Sequence, residues 1–326
     1  MSSQPCPAAA PTGAATRPAR RIAVGAAALA VLLPGLGTSA AYATTPSATA
    51  GANLCASTRD PALAARLSAD IAAARSGRES TVAVRLWDTE KQLSCADNAD
   101  AHFDSASVVK VTIMGAVLRR AEEEHRFLHD AEVGDLKLMI IKSDNDAATR
   151  LWDGLGLDRL QAFLKLAKAN DTVLDRDRHW GLTQITANDE MKVLAVFASS
   201  AANVITPSAK AYGLTLMSQV QGDQRWGTPY GAPAGIRVQV KNGWAPRATH
   251  GWRINSLGVF TSPGSNYRMA VLTEDNTTKA YGVETIQRIA EVVHRDLNPA
   301  GSTASTTPSA SGPEETSDGS TPYTAK

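Results

Sequence analysis

A long helical block set between two groups of strand-like segments limits what this chain can fold into. "STVAVRLWDT" alternates Val82, Val84 and Leu86 at the period of a strand, and "KQLSCAD" can pair back on it. Strand patterns return only in "IRVQVKNGW", "GWRINSLGVFT" and "NYRMAVLTED". Residues 107–225 between them read as helices: "VVKVTIMGAVLRRAEEE", "EVGDLKLMIIKSD", "DRLQAFLKLAK", "TANDEMKVLAVFA" and "PSAKAYGLTLMSQVQ". Thr186 can cap the fourth, and Pro207 suits the first turn of the fifth. Before the strands, "PALAARLSADIAAARSG" puts Leu63, Leu67 and Ile71 on one helical face. After them, "AYGVETIQRIAEVVHRDL" does the same with Val283, Ile286, Ile289 and Val293. Two strands before the block and three after it predict one five-stranded antiparallel sheet, flanked by the terminal helices. The helical block then stands beside it as an inserted all-α lobe. The expected class is α+β, with a site in the cleft between sheet and lobe.

The ends of the chain read differently from this middle. Arg17, Arg20 and Arg21 precede the apolar "IAVGAAALAVLLPGLGTSA", and Ala41-Tyr42-Ala43 follows. A basic region, a short apolar region and a small-x-small site predict a secretory signal peptide over residues 1–43. A membrane anchor is the competing reading, but Pro34 and two glycines break the apolar run. Arg20-Arg21 leaves twin-arginine export open beside the general route. Residues 44–54 then form a short linker, and residues 55–298 form the folded domain. Residues 299–326, rich in Ser, Thr and Pro with almost no apolar side chains, read as a disordered tail. The expected location is secreted, at the cell envelope.

Cysteine usage agrees with export. Of the three cysteines, Cys6 would leave with the signal, and Cys55 and Cys95 remain as a pair expected to form a disulfide. A catalytic thiol is the alternative, yet neither has a neighbouring His or Lys to lower its pKa. A formal net charge of +1 gives no steering towards nucleic acid or an anionic membrane, so neither is an expected partner. The six histidines show no H-E-x-x-H spacing, so neither metal nor other cofactor is expected.

Three short motifs carry chemistry. In "FDSASVVKVT", Ser107 and Lys110 stand three apart, on one face of a helix. A serine hydroxyl is a poor nucleophile until a base takes its proton, and a lysine can be that base if burial or nearby positive charge lowers its pKa. Val108, Val109, Val111, Ile113, Met114 and Val117 make the helix apolar on nearly every side, so Lys110 is expected to be desolvated in its first turn. A cation there opposes the helix dipole. Alone, the spacing is no more than chance would supply. Ser143-Asp144-Asn145, taken alone, reads as a helix N-cap ahead of "DAATRLW". Chemically, Ser143 can relay a proton and Asn145 can grip a substrate carbonyl and the lysine. Lys241-Asn242-Gly243 ends the strand "RVQV". An Asn-Gly hairpin turn is the simple reading, but Pro246 stands where a return strand would pair. Otherwise Lys241 sets a positive potential, Gly243 lets a substrate backbone lie on the strand edge, and the Trp244 amide can join that of Ser107 as an oxyanion hole.

In this order, and at these element boundaries, the three motifs resemble the class A β-lactamases and the penicillin-binding D-alanyl-D-alanine peptidases. The resemblance covers nearly all of residues 55–298, and "SDNDAATRLW" and "LDRLQAFLKLAK" share it. It implies that Ser107 is acylated, Lys110 activates it, and Ser143 passes a proton to the leaving amine. It implies further that Asn145 positions the acyl side chain, Lys241 and Asn242 bind the substrate carboxylate, and the Ser107 and Trp244 amides hold the oxyanion.

Three departures bear on what kind of member this is. The deacylating glutamate of class A enzymes, found in a Trp-Glu-x-x-Leu-Asn loop, has no counterpart in "LDRDRHWGLTQITANDEM". Asp177 is the nearest carboxylate there. The stretch between the nucleophile helix and Ser143 is shorter than in the family, which predicts a more open site. Asn242 replaces the usual Thr or Ser and cannot reproduce hydroxyl geometry. Arg247 and Arg253 are either partners for a substrate carboxylate or solvated arginines. Trp180 and Trp226 are either cleft or core. The expected function is an exported monomeric serine hydrolase acting on β-lactams. The alternatives are a carboxypeptidase acting on D-Ala-ended peptides of the cell wall, and a slow or non-catalytic penicillin-binding module.

Overall fold

The computed structural model describes residues 53–299 together with 317, 319 and 320. The predicted signal peptide, most of the linker and most of the tail lie outside the described residues.

Alternation along the strands decides the architecture. In strand β2 (Thr81–Asp88), Val84 and Leu86 join one apolar cluster, while Ala83 joins another. Strand β8 (Ser265–Asn276) repeats the pattern, with Met269 and Val271 on one side and Ala270 and Leu272 on the other. A strand presents successive side chains to opposite faces, so a sheet apolar on both must be covered on both. Helices α1 (Pro61–Arg75) and α7 (Lys279–Leu297) cover the first face through Leu67, Ile71, Ile286, Ile289 and Val293. The second face meets the inserted lobe, built from α2 (Lys110–Glu123), α3 (Asp130–Ile141), α4 (Asn145–Ala167, broken at Gly156), α5 (Ala187–Ala198) and α6 (Pro207–Ser218). Fully burying each large aliphatic side chain in these clusters contributes about 1.5–3 kcal/mol.

The sheet has six strands where five were expected. Its order is β1-β3-β2-β8-β7-β6, every neighbouring pair antiparallel, with β3 at Leu93–Asp97, β6 at Arg237–Pro246 and β7 at Trp252–Ser262. The extra strand β1 (Cys55–Ser57) has three residues, too few to show an alternation. Its Cys55 pairs in register with Cys95 of β3, and the two form the expected disulfide. A cross-link of this kind typically contributes 2–4 kcal/mol. A separate two-stranded ladder joins β4 (Phe103–Asp104) to β5 (Gln184–Ile185).

Local signals set the element ends. Asp60, Thr186, Thr206 and Thr278 cap α1, α5, α6 and α7 through their side chains, and Pro207 opens α6 as expected. Lys241-Asn242-Gly243 is not a turn. Strand β6 runs straight through it to Pro246, which pairs with Trp252. Strand β6 is an outer strand, so its far edge borders the space beside the lobe.

Candidate active site

Ser107 lies at the junction of sheet and lobe, in the short 3-10 helix Ala106–Val109 that feeds α2. The segment before it is pinned from three directions. Asn255 of β7 donates to the carbonyls of Asp104 (2.9 Å) and Ser105 (3.1 Å). The Ser105 amide donates to Thr183 O at 2.9 Å. Asp104 accepts a hydrogen bond from Gln184 and pairs with Arg247 (3.1 Å) and Arg253 (3.3 Å). Ala106, immediately before Ser107, holds φ at 44°, in the left-handed region that an L-residue occupies only when its surroundings impose it.

Lys110 is fully buried, as its apolar helix predicted. Its ammonium donates to Ser143 O (2.7 Å), Ser143 Oγ (3.1 Å) and Asn145 Oδ1 (2.7 Å). Its Nζ also lies 4.8 Å from the centroid of the Trp180 ring, a cation–π contact. Trp180 is thus buried and at the site together, which resolves the choice between cleft and core. Trp226 packs edge-on against Trp244 with centroids 5.7 Å apart.

Ser143-Asp144-Asn145 divides its labour. Asp144 is the N-cap of α4, accepting from the Ala147 amide at 2.7 Å. Ser143 adopts φ 58°, which turns its hydroxyl back towards the lysines, and Asn145 holds Lys110 from the first turn. Lys241 arrives from β6 and donates to the same Ser143 Oγ at 2.9 Å. Two buried ammonium groups therefore converge on one hydroxyl, each raising the positive potential at the other.

Lys241 and Asn242 have different partners. Neighbours on a strand face opposite ways. Asn242 sends both amide hydrogens to the carbonyls of Gln224 (2.8 Å) and Trp226 (2.9 Å), fastening β6 to the chain before it. In this arrangement the Asn242 amide hydrogens are engaged by the backbone of residues 224 and 226. Gly243 backs directly onto the Ser107 segment: a Cβ there would fall 2.5 Å from Ser107 N and 2.9 Å from Val108 N. Trp244, mostly buried, lies under the Lys279 ammonium, 4.2 Å from its ring centroid.

Arg253 is neither solvated nor presented to a ligand. It is 5% exposed and paired with Asp104, so sequence reasoning missed its role, and that of Asp104, altogether. No local pattern announces an ion pair between segments so far apart in the chain. Glu190 was missed as well. It is buried, its carboxylate oxygens have no hydrogen-bond partner, and burial, with Asp189 adding to it, pushes its pKa up to about 8.

The loop from Val173 to Gln184 forms the other wall. It is closed at its base by a pair of backbone hydrogen bonds between these two residues, both 2.9 Å. Asp175 turns inward to accept from the amides of Asp177 (2.9 Å) and His179 (2.8 Å). Arg178 pairs with Asp153 in solvent, and Asp177 is exposed. Among the described residues, no carboxylate of this loop is directed at Ser107 by any hydrogen bond. The described residues offer one group with ligand atoms close enough for a metal, His250, Glu274 and Asp275, within 4.8 Å. His250 Nδ1 lies 2.7 Å from an Asp275 carboxylate oxygen, with Glu274 beside it.

Comparison with known proteins gives the fold and the family. No curated protein sequence matches the chain. Among solved structures it is similar to a class A β-lactamase from Bacteroides cellulosilyticus (TM-score 0.62, 19% identity, 72% of this chain and 98% of that one). It is similar to a β-lactamase from Sphaerobacter thermophilus (TM-score 0.62, 22% identity, 72% and 97%). An ancestral class A β-lactamase, that of the last common ancestor of Gram-negative bacteria, gives TM-score 0.60 at 22% identity over 70% and 98%. The profile of the β-lactamase enzyme family matches residues 62–133 and 134–297, from α1 through the lobe to the end of α7. A match of that extent covers both faces of the sheet and every motif residue of the cleft, so the chain belongs to the β-lactamase enzyme family.

Proposed function

We propose that this β-lactamase-type hydrolase is an exported enzyme that opens β-lactams through an acyl-enzyme on Ser107. The observation that most supports it is the meeting of three separate motifs at one hydroxyl: Ser143 Oγ accepts from both Lys110 and Lys241. Loss of a proton from Lys110 relieves the repulsion between the two ammonium groups and leaves an amine able to take the Ser107 proton. The Ser107 Oγ–carbon bond then forms, and the developing oxyanion faces the amides of Ser107 and Trp244. As the lactam C–N bond breaks, the ring nitrogen takes a proton through the Ser143 hydroxyl. Lys241 keeps its charge and attracts the substrate carboxylate, while Asn145 orients the acyl side chain. Export is supported by the Cys55–Cys95 disulfide, a bond that persists in oxidising compartments.

A second reading, a penicillin-binding module that releases its acyl group slowly, is favoured by the loop wall. Asp177 is exposed, and Asp175 is engaged by the amides of Asp177 and His179. Exposure to a fluorescent penicillin followed by peptide mass spectrometry tests the first reading. The expected result is an adduct on Ser107; none after prolonged exposure overturns it. Rapid nitrocefin turnover that vanishes in Ser107→Ala would overturn the slow-release reading. The same assay on a D-Ala-D-Ala peptide decides between lactam and peptide.

A further inference from the structure

We propose that Gly319-Ser320 of the C-terminal tail is a tethered ligand of the cleft that competes with substrate for the space between Asn145 and the loop wall. Ser320 is only 4% exposed, although the tail around it is polar. A Cβ built on Gly181 would collide with the Ser320 carbonyl and lie 2.8 Å from its Cβ. On the other side, a Cβ built on Gly319 would lie 2.6 Å from the Asn145 amide nitrogen. The segment therefore threads between two residues that belong to opposite walls, and it fits because both contact points are glycines. Gly319 also holds φ at 74°, and its amide donates to Ser317 Oγ at 3.0 Å, which sets the bend that carries Ser320 inward.

Asn145 is the residue that holds Lys110, so the segment lies one side chain away from the proposed base. An acyl side chain lying against Asn145 would need the same room. The encounter is intramolecular, and a tether of this kind gives an effective concentration of about millimolar. Dilute substrate then meets a cleft that is already occupied. The competition rests on the acyl-enzyme reading of the cleft, whereas the seating of the segment does not.

The test uses the full chain with a site-specific protease sequence placed between residues 302 and 310, cut after folding and freed of the released peptide. Two readouts are taken, the rate of Ser107 labelling by a fluorescent penicillin and amide hydrogen exchange over residues 179–183 and 143–147. Cutting should raise the labelling rate about tenfold and speed exchange at both walls. A synthetic peptide of residues 313–326 should reverse both effects, and Gly319→Val in the uncut chain should reproduce them. Equal exchange and equal labelling before and after cutting overturn the proposal. Faster exchange with no labelling in either form keeps the seated segment and sinks the acylation chemistry instead.

Discussion

The two walls of the cleft are built on opposite terms. On the wall formed by α2, α4 and β6, Ser107, Lys110, Ser143 and Lys241 are all buried, and hydrogen bonds of 2.7 to 3.1 Å join the last three. On the loop wall, Asp177, Arg178 and His179 are exposed, and the one inward carboxylate, Asp175, is consumed by the loop's own amides. Polar groups buried in low dielectric must satisfy one another, so the first wall has one arrangement and tolerates little change. The second can vary at small cost. On the proposed acyl-enzyme reading, the half that attacks the substrate is tightly specified, and the half that releases the product is not.

The largest expected effect breaks the strict wall. Lys110→Met keeps the length and removes the proposed base, and the second-order rate of Ser107 labelling should fall by about 10²–10⁴-fold, as general-base losses do. Stopped-flow or timed-quench labelling measures it. An unchanged rate would show that another group takes the proton.

Asp104 joins the two walls, touching Gln184 at the loop's end and Arg247 and Arg253 on the sheet side. Asp104→Ala removes the nearest carboxylate of mostly buried Arg253, which keeps Glu274 at 3.8 Å and the carbonyls of Thr249 and Gly251, so urea unfolding should show a loss of about 1–3 kcal/mol. Ser107 labelling should slow in parallel at temperatures where the chain stays folded.

Glu190 lies just past the loop, next to Asp189, which anchors the loop's approach by accepting from the Asp171 amide at 2.8 Å and the Thr172 hydroxyl at 2.9 Å. Its folded pKa, about 8, stands above its ordinary 4.5, so the native state holds a proton that the unfolded chain has lost. Stability should therefore fall as pH rises from about 4.5 to about 8 and level off beyond. Glu190→Gln should flatten that slope in thermal melts taken across the range. The opposite behaviour is expected of buried His294, held near 4 by burial, whose contribution is lost as pH falls from 6.5 towards 4.

The smallest effect sharpens the permissive wall. Asp177→Ala should change the lifetime of the Ser107 adduct by less than about twofold, because general-base help is absent there already. A marked lengthening, followed by intact-mass spectrometry, would make Asp177 the releasing base after all.

Legibility in the sequence follows the same division. The Ser107 and Lys110 spacing, the cap at Asp144 and the apolar face of α2 are local patterns, and the fold places them as local patterns require. The sheet was legible where alternation ran long enough to count. Strand β1, at three residues, was not. The partners of Asn242 were not legible, because a motif names residues in a row while a strand sends neighbours to opposite faces. The Asp104–Arg253 pair and the seat of Ser320 depend on segments that only the folded chain brings together, so no periodicity carries them.

The close approach of Gly243 to the Ser107 amide has a consequence for how such a protein can change its diet. Any side chain at 243 would push the strand off the reactive segment, so the alphabet at that position has one letter. Mutational exploration of new substrates is barred from the strand edge. It must be written on the opposite bank, among the solvent-facing residues from 176 to 179, where letters can be exchanged without disturbing the serine.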